Sequence, residues 1–511
     1  MGKLAVAVIT SLWVIPISLM VNKIVPEPYM DEIFHIPQAQ QYCRGNFRSW
    51  DPMITTPPGL YYISLAHVAS LFPGLLFIKQ NYSFSEFCSS SILRSLNGFL
   101  AVICSILVYE ILTQLRPDLD EKKATLRSIV LSLYPLHWFF TFLYYTDVAS
   151  LTLVLAMYLL CLKRHYQLSS LFGALAILIR QTNVVWVLLV ACIGVINFTK
   201  PRTFNDSVHM RDYDVSSKKN DGLVDTNMVP ADTNLRKRKM GSSVNAINHS
   251  MSKIRDSSSC CTSGLIDEIR DILVRLWHLK WEFLVSFGSF FLVLVVFVMF
   301  VIWNGSVVLG AKEAHTVSPH LAQMMYFGLV SAFAMAPFHF SFSEALNLYQ
   351  SFWENKPLSF VQVFIVLSAG FLSVHFFSIA HPYLLADNRH YTFYIWRKVV
   401  KFHWLTKYLL VPIYVYSWFS IFNILGKTQK KLWMLLFFLA CGAVLIPAPL
   451  IEFRYYTIPF YFLALHTQLD NNTYWLFMGI AYTTVDIFTM MMFLFRPFHW
   501  AHEVGTQRFI W

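Results

Sequence analysis

The chain has 511 residues, of which 56% are hydrophobic, 17% aromatic and only 14% charged. So little polar surface excludes a soluble globule of this length, and it points to a polytopic membrane protein. The net charge of +11 does not indicate nucleic acid, because the Lys and Arg residues flank apolar runs and fill one polar insert. There they act as topology determinants and attract anionic lipid.

Apolar runs long enough to cross ~30 Å of hydrocarbon as helices recur along the chain, and short alternating barrel-type segments do not. The expected fold class is therefore all-α. Spans are predicted at 4–22, 93–115, 127–145, 148–162, 168–180, 184–198, 283–303, 323–340, 359–380, 405–424, 432–450 and 474–495. Two further stretches are marginal: 60–78 is broken by Pro73 and Gly74, and 455–469 is short. The run 168–180 also falls below the usual ~17–25 residues, and the total comes to about 12–14 transmembrane helices. No small-residue cleavage site follows the first run, which reads as a signal anchor.

Basic residues set the orientation, since short loops rich in them stay in the cytoplasm. They cluster at Lys122, Lys123 and Arg127, at Lys163 and Arg164, in the insert 199–281, and at Lys427, Lys430 and Lys431. All four clusters share one side if 60–78 is an interfacial helix on the far side. The expected organisation has an N-terminal transmembrane half, 1–198, whose first luminal loop is 23–92. The cytosolic insert 199–281 comes next, and then a C-terminal half, 282–511, with luminal loops at 381–404 and 451–458. The insert is too poor in large apolar residues to bury a core, so most of it is expected to be disordered. Its end, "GLIDEIRDILVRLWHLKWEFL", predicts an amphipathic helix on the cytosolic face.

The eight cysteines form no C-x-x-C pair and no zinc-type cluster with histidine, so no metal site is expected. Cys43 and Cys88 fall on the luminal side and are able to pair. Cys260 and Cys261 are read as unremarkable loop cysteines, and the run Arg236 to Lys239 as part of the basic insert. Sequons occur at Asn81, Asn304 and Asn471, and also at Asn197, Asn205 and Asn248 on the expected cytosolic side, so they do not fix topology.

Four polar segments on the luminal side carry chemistry-bearing residues. The first, "EPYMDEIFHIPQAQQYCRGNFRSWDPMITTPPGLYY", holds Asp31, Glu32, His35 and Asp51, and helical spacing would place Asp31 and His35 on one face. The second, "LYYTDVAS", places Asp147 in a tight turn. The third, "HPYLLADNRHYTFYIWRK", holds His381, Asp387, Asn388, Arg389, His390 and Lys398. The fourth, "PAPLIEFRYYTIP", holds Glu452 and Arg454 at a membrane edge. Singly, each group has an ordinary structural reading as a helix cap or headgroup anchor. Together they form two halves of a site for displacing a phosphate: a carboxylate to accept a proton, and cations to neutralise the leaving group. No Walker loop, G-x-G-x-x-G fingerprint, H-E-x-x-H motif or nucleophile elbow competes with it.

The long first segment, with "ADNRHYTFYIWRK" and "EFRYYTIPFY" downstream, resembles the dolichyl-phosphate-glucose α-1,2-glucosyltransferases. That family adds the last glucose to the lipid-linked oligosaccharide, and the resemblance extends end to end except in the insert. It implies a GT-C glycosyltransferase of the endoplasmic reticulum membrane with a catalytic acidic residue in the first luminal loop. It further implies dolichyl-phosphate-glucose as donor, a diglucosylated oligosaccharide on dolichyl diphosphate as acceptor, and no cofactor. A β-linked donor giving an α product means inversion, for which one general base suffices. On this reading Asp31 is the base and Glu32 its alternative, because neighbours on a helix point about 100° apart and only one faces the reacting centre. His35 orients a carboxylate, and Asp51 positions the acceptor or the loop. Arg389, His390 and Arg454 are candidate phosphate contacts, with His381 and Lys398 weaker ones, and Glu452 lines the same edge. The rival readings are a lipid-linked sugar transporter or flippase, a GT-C mannosyltransferase, and a regulatory subunit.

Overall fold

A computed structural model describes residues 1–73, 87–199, 264–315, 318–354, 356–501 and 503–511. Among the described residues, seven helices are long and apolar enough to cross a membrane: Gly2–Ile24, Ser90–Leu115, Gln181–Phe198, Lys280–Asn304, Lys356–Phe376, Thr406–Gly426 and Asn472–Phe495. Five shorter apolar helices stand among them: Gly59–Leu71, Thr146–Leu162, Tyr166–Ile179, Ala322–Ala334 and Lys431–Leu445. Among the described residues, paired strands are confined to a small antiparallel hairpin, Phe498–Trp500 with Glu503–Gln507. The protein is all-α and polytopic.

Burial divides the helices. Thr146–Leu162 is covered along almost its whole length, whereas Lys280–Asn304 buries only Phe287 and Phe290. A helix that is apolar all round and uncovered by protein is suited to lipid contact. Thr457–His466 is ten residues long and buried at every position but Ile458. At 1.5 Å per residue it reaches about 15 Å, so the predicted span 455–469 is an internal core helix.

One other predicted span differs for a proline-based reason. The stretch 127–145 divides into Glu121–Ser132 and Pro135–Phe140. Pro135 has no N–H to donate and disfavours helical geometry at Tyr134, which adopts ψ 120°. Beyond the second piece, the backbone from Thr141 to Tyr145 runs across the site described below. The stretch 405–424 is matched by the span Thr406–Gly426, which steps at Leu410 between Thr406–Leu409 and Val411–Gly426, with Pro412 in the first turn of the second piece.

Contacts at the helix termini define two ends of the bundle. Asp31, Arg94, Tyr145, Arg180 and Arg454 share one end through direct contacts described below. Lys163 pairs with Glu110, Lys427 with Glu344, and Arg127 with Asp470 at the other. The helix Leu265–His278 also lies there, with the backbone of Leu432 donating to Glu268 and Arg275 donating to the Thr199 carbonyl. Its Ile266, Leu273 and Trp277 are exposed. The basic run Arg236 to Lys239, Cys260, Cys261 and the sequons at Asn81, Asn205 and Asn248 lie outside the described residues.

At the first end, a disulfide joins Cys43 to Cys88, tying the helix Glu32–Cys43 to the start of Ser90–Leu115. The loop after Lys280–Asn304 closes on the first loop, where Leu309 and Ala311 donate to the carbonyls of Thr55 and Pro52. Gly310 permits this approach, since a Cβ there would collide with the backbone oxygens of Pro52 and Ile54.

Candidate active site

The first loop enters the site through a strained residue. Met30 adopts a left-handed backbone with φ 55°, a conformation costly for a long side chain. Asp31 then stands at the N-terminus of the helix Glu32–Cys43, and it and its neighbour Glu32 meet different fates.

Glu32 is fully buried. Arg94 grips it with two parallel bonds, Nε to Oε1 at 2.8 Å and Nη2 to Oε2 at 2.6 Å. The backbone N–H groups of Tyr29 and Tyr144 fill the remaining acceptor positions at 3.1 and 2.6 Å. Arg94 also donates to the carbonyls of Val25 and Glu27 and to Asn22, so all five of its N–H donors are used. This saturated pair fastens three chain segments together and turns no lone pair toward a substrate. The alternative base of the sequence reading is thereby withdrawn from the open part of the site.

Asp31 points the other way. Its side chain is 40% exposed, and Oδ2 accepts from Arg454 Nη1 at 2.7 Å. Its backbone N–H donates to the Tyr145 hydroxyl at 3.2 Å. Dense surroundings push the Asp31 pKa up, but the Arg454 charge and hydrogen bond, aided by His35 and His390, bring it below the ordinary carboxylate value. Asp31 is thus an ionised carboxylate at neutral pH with one oxygen uncommitted to Arg454. Arg454 is also bonded through Nε to Glu452, and its guanidinium lies over Tyr145 and Tyr455 at 5.7 and 5.9 Å. The carboxylates and rings together hold Arg454 strongly protonated against the cost of burial.

His35 follows Asp31 by one helical turn, and its Nδ1 lies 2.8 Å from the Tyr61 hydroxyl. Burial lowers its pKa, and the opposing charges of Asp31, Arg454, Arg180 and Asp147 all reach the ring. A second pair stands beside it: Arg180 Nη1 donates to Asp147 Oδ1 at 2.8 Å. Asp147 is 8% exposed and Arg180 16%. The Arg180 guanidinium lies 5.9 Å over the ring of Tyr455, the residue next to Arg454.

The third predicted segment is organised by itself and by the end of the chain. Arg389 clasps Asp387 through Nε and Nη2, donates from Nη1 to Gln507 at 3.0 Å, and stacks 4.7 Å over Trp500. Its guanidinium is therefore committed to protein groups. His390 places Nδ1 3.2 Å from the Trp511 carbonyl oxygen and Nε2 3.8 Å from Asp387. The chain end docks as an extra strand-like segment, with Ile510 donating to the Arg389 carbonyl and Tyr391 to that of Ile510. Tyr29 bonds to the backbone of Arg508 on both sides, at 2.6 and 2.7 Å, joining this tail to the first loop.

The remaining predicted residues lie outside this cluster of contacts. Asp51 accepts from the Met53 N–H and donates its own N–H to Gln38, which shapes the loop. His381 caps the short helix Pro382–Ala386 by accepting from Tyr383. Lys398 is exposed and forms no hydrogen bond or ion pair among the described residues. Sequence reasoning overlooked Arg94, Tyr61, Tyr145 and the terminal tail. Arg94 was detectable as a charge inside a predicted span, which is a functional or pairing signal by default; the tyrosines carried no comparable signal.

The family description "DIE2/ALG10 family" matches residues 25–465, a stretch that begins at the first loop and ends past the Arg454 helix. The chain belongs to that family. A relative from Arabidopsis thaliana is 58% identical with complete coverage of both chains. Relatives from Mus musculus and Homo sapiens are each 32% identical over 95% of this chain and 93% of their own. All three are named Dol-P-Glc:Glc(2)Man(9)GlcNAc(2)-PP-Dol alpha-1,2-glucosyltransferase. No solved structure matches. The matched region contains both the first-loop residues Asp31 and Glu32 and the Glu452–Arg454 segment.

Proposed function

We propose that this protein is an inverting α-1,2-glucosyltransferase of the GT-C type. It moves glucose from dolichyl-phosphate-glucose to the terminal glucose of the diglucosylated oligosaccharide on dolichyl diphosphate. The names of the full-length relatives support the substrates, and none of those relatives is named a transporter or a mannosyltransferase. The observation that carries the mechanism is the contrast at Asp31: an ionised, accessible carboxylate at a bundle end where lipid-tethered sugars can meet.

In the proposed reaction the acceptor hydroxyl attacks the anomeric carbon from the face opposite the phosphate. Its proton passes to Asp31 as the new C–O bond forms, and the electron pair of the breaking bond leaves with the phosphate oxygen. Dolichyl phosphate is already a stable anion, so no general acid, metal or cofactor is required, only a cation near the departing oxygen. Arg454 holds Asp31 in place and in its ionised form, and Tyr145 fixes the backbone on which it stands. Glu32 and Arg94 keep the loop rigid, so that the carboxylate need not reorganise during the reaction.

We place the site on the luminal face of the endoplasmic reticulum membrane. The disulfide beside it suits an oxidising compartment, and Lys163, Lys427 and Arg127 gather at the opposite end, as cytoplasmic loops require. The test is glucose transfer by the purified protein from a synthetic donor to a diglucosylated acceptor, with Asp31→Asn beside wild type. Transfer by wild type and loss in the variant with donor binding retained supports the assignment. Full activity of Asp31→Asn would move the base elsewhere.

A further inference from the structure

The proposed reaction needs a cation for the donor phosphate, and five arginines are tied into this end of the bundle. The Arg508 guanidinium is turned to the end of the last long helix, over the Phe493 ring and with Nη1 on the Phe493 and Leu494 carbonyls, which leaves four to compare. A guanidinium binds an oxyanion best through its Nε–Nη2 edge, whose two N–H groups run parallel. In Arg94 that edge is closed by Glu32. In Arg389 it is closed by Asp387, with Nη1 taken by Gln507. Arg454 gives Nε to Glu452 and Nη1 to Asp31, and a phosphate drawn to it would meet two carboxylates.

Arg180 differs. Its one hydrogen bond among the described residues runs from Nη1 to Asp147, which leaves the Nε–Nη2 edge unoccupied. Asp147 and the ring of Tyr455 hold the guanidinium in place. Its backbone is also fixed: Gln181 donates to the Thr55 carbonyl at 3.0 Å, and Gly59 packs so closely on Leu178 that a Cβ would strike that backbone. The Arg180 and Arg454 charges both reach His35, one turn from Asp31, and Tyr455, over which the Arg180 guanidinium lies, is the neighbour of Arg454, so Arg180 stands near the proposed base.

We propose that Arg180 binds the phosphate of the lipid-linked donor through this edge, with Asp147 as its positioning residue, and stabilises the polyprenyl phosphate as it leaves. This assignment rests on the glucosyltransferase reading and replaces Arg389 as the main phosphate contact. The two oxygens of a phosphodiester match the spacing of the two N–H groups, and the same edge accepts the monophosphate product.

The experiment uses the full-length protein with a short-chain polyprenyl-phosphate-glucose donor, and it measures donor KM, acceptor KM and inhibition by the sugar-free polyprenyl monophosphate. Arg180→Ala should raise donor KM and the inhibition constant about 10- to 100-fold, the loss of one or two charge-assisted hydrogen bonds. Acceptor KM should stay within about two-fold, a split that a general structural defect would not produce. Arg180→Lys keeps the charge but not the paired edge and should fall between. Unchanged donor KM and inhibition in Arg180→Ala, with wild type active, overturns the assignment and leaves the glucosyltransferase reading intact. If Arg180→Ala does not fold, an unchanged inhibition constant in Arg180→Lys overturns it. If wild type transfers no glucose, the reaction reading fails, and direct binding of polyprenyl monophosphate to wild type and Arg180→Ala still decides the site: equal binding refutes it.

Discussion

Asp31 and Glu32 are neighbours in the chain, and each is paired with an arginine, yet they belong to different parts of the molecule. The Glu32–Arg94 pair is sealed, with side chains 0% and 1% exposed and every donor and acceptor matched. The Asp31–Arg454 pair is open, with the carboxylate 40% exposed and held by one bond. A buried pair that leaves no hydrogen-bonding capacity fixes geometry but cannot exchange a proton; a half-exposed pair can. The hundred-degree turn between successive helical residues suffices to divide the two tasks.

The largest expected effect separates them directly. Asp31→Asn should lower kcat by about 100- to 10,000-fold, the usual worth of a positioned general base, while the thermal unfolding midpoint in detergent stays close to wild type. A midpoint that falls together with kcat would make Asp31 a structural residue and dissolve the contrast. Glu32→Ala should show the inverse pattern. It strands the Arg94 charge in a buried site, a change that typically costs about 3–5 kcal/mol, visible as reduced unfolding stability and loss of folded protein. If Glu32→Ala folds normally but is inactive, the base was misassigned.

A smaller effect concerns pH. Arg454 holds the Asp31 pKa below the ordinary carboxylate value, so the acid limb of wild-type kcat/KM should lie below about pH 4, the midpoint for a free aspartate. In Arg454→Gln the push from burial remains and the pull is gone, so the acid limb should move to higher pH. The depressed pKa also stabilises the fold above the ordinary carboxylate range, a contribution lost as pH falls through the folded-state value. An acid limb that does not move in the variant would separate Arg454 from Asp31. The smallest effect is expected at Lys398, exposed and without partners among the described residues. Lys398→Ala should change stability by no more than ~0.5 kcal/mol and leave donor KM unaltered.

Much of the architecture was legible in the sequence because lipid imposes a simple rule: long apolar runs become helices that satisfy their own backbone. Gly2–Ile24, Ser90–Leu115, Lys280–Asn304 and Asn472–Phe495 follow from it within a few residues. The rule is weaker where protein rather than lipid surrounds the run. Thr457–His466 is apolar because it is buried in the core, and hydropathy does not distinguish the two solvents. The division at Pro135 was visible as a residue type, but the turn after Phe140 that brings Tyr144 and Tyr145 to the first-loop carboxylates was not.

The same limit holds at the site. Sequence alone determined that the chain spans a membrane as helices, that Asp31, Glu32 and His35 gather after the first of them, and that Arg454 follows a late span. These follow from composition and from short-range spacing, which are local properties of the chain. Only the tertiary structure decided that Arg94 takes Glu32, that Arg454 meets Asp31 across 423 residues, and that the last residues of the chain engage Arg389. It also left the Arg180 edge without a hydrogen bond among the described residues. Pairing between distant charges depends on which helix ends are packed together, and the apolar periodicity that builds the helices carries no information about that choice.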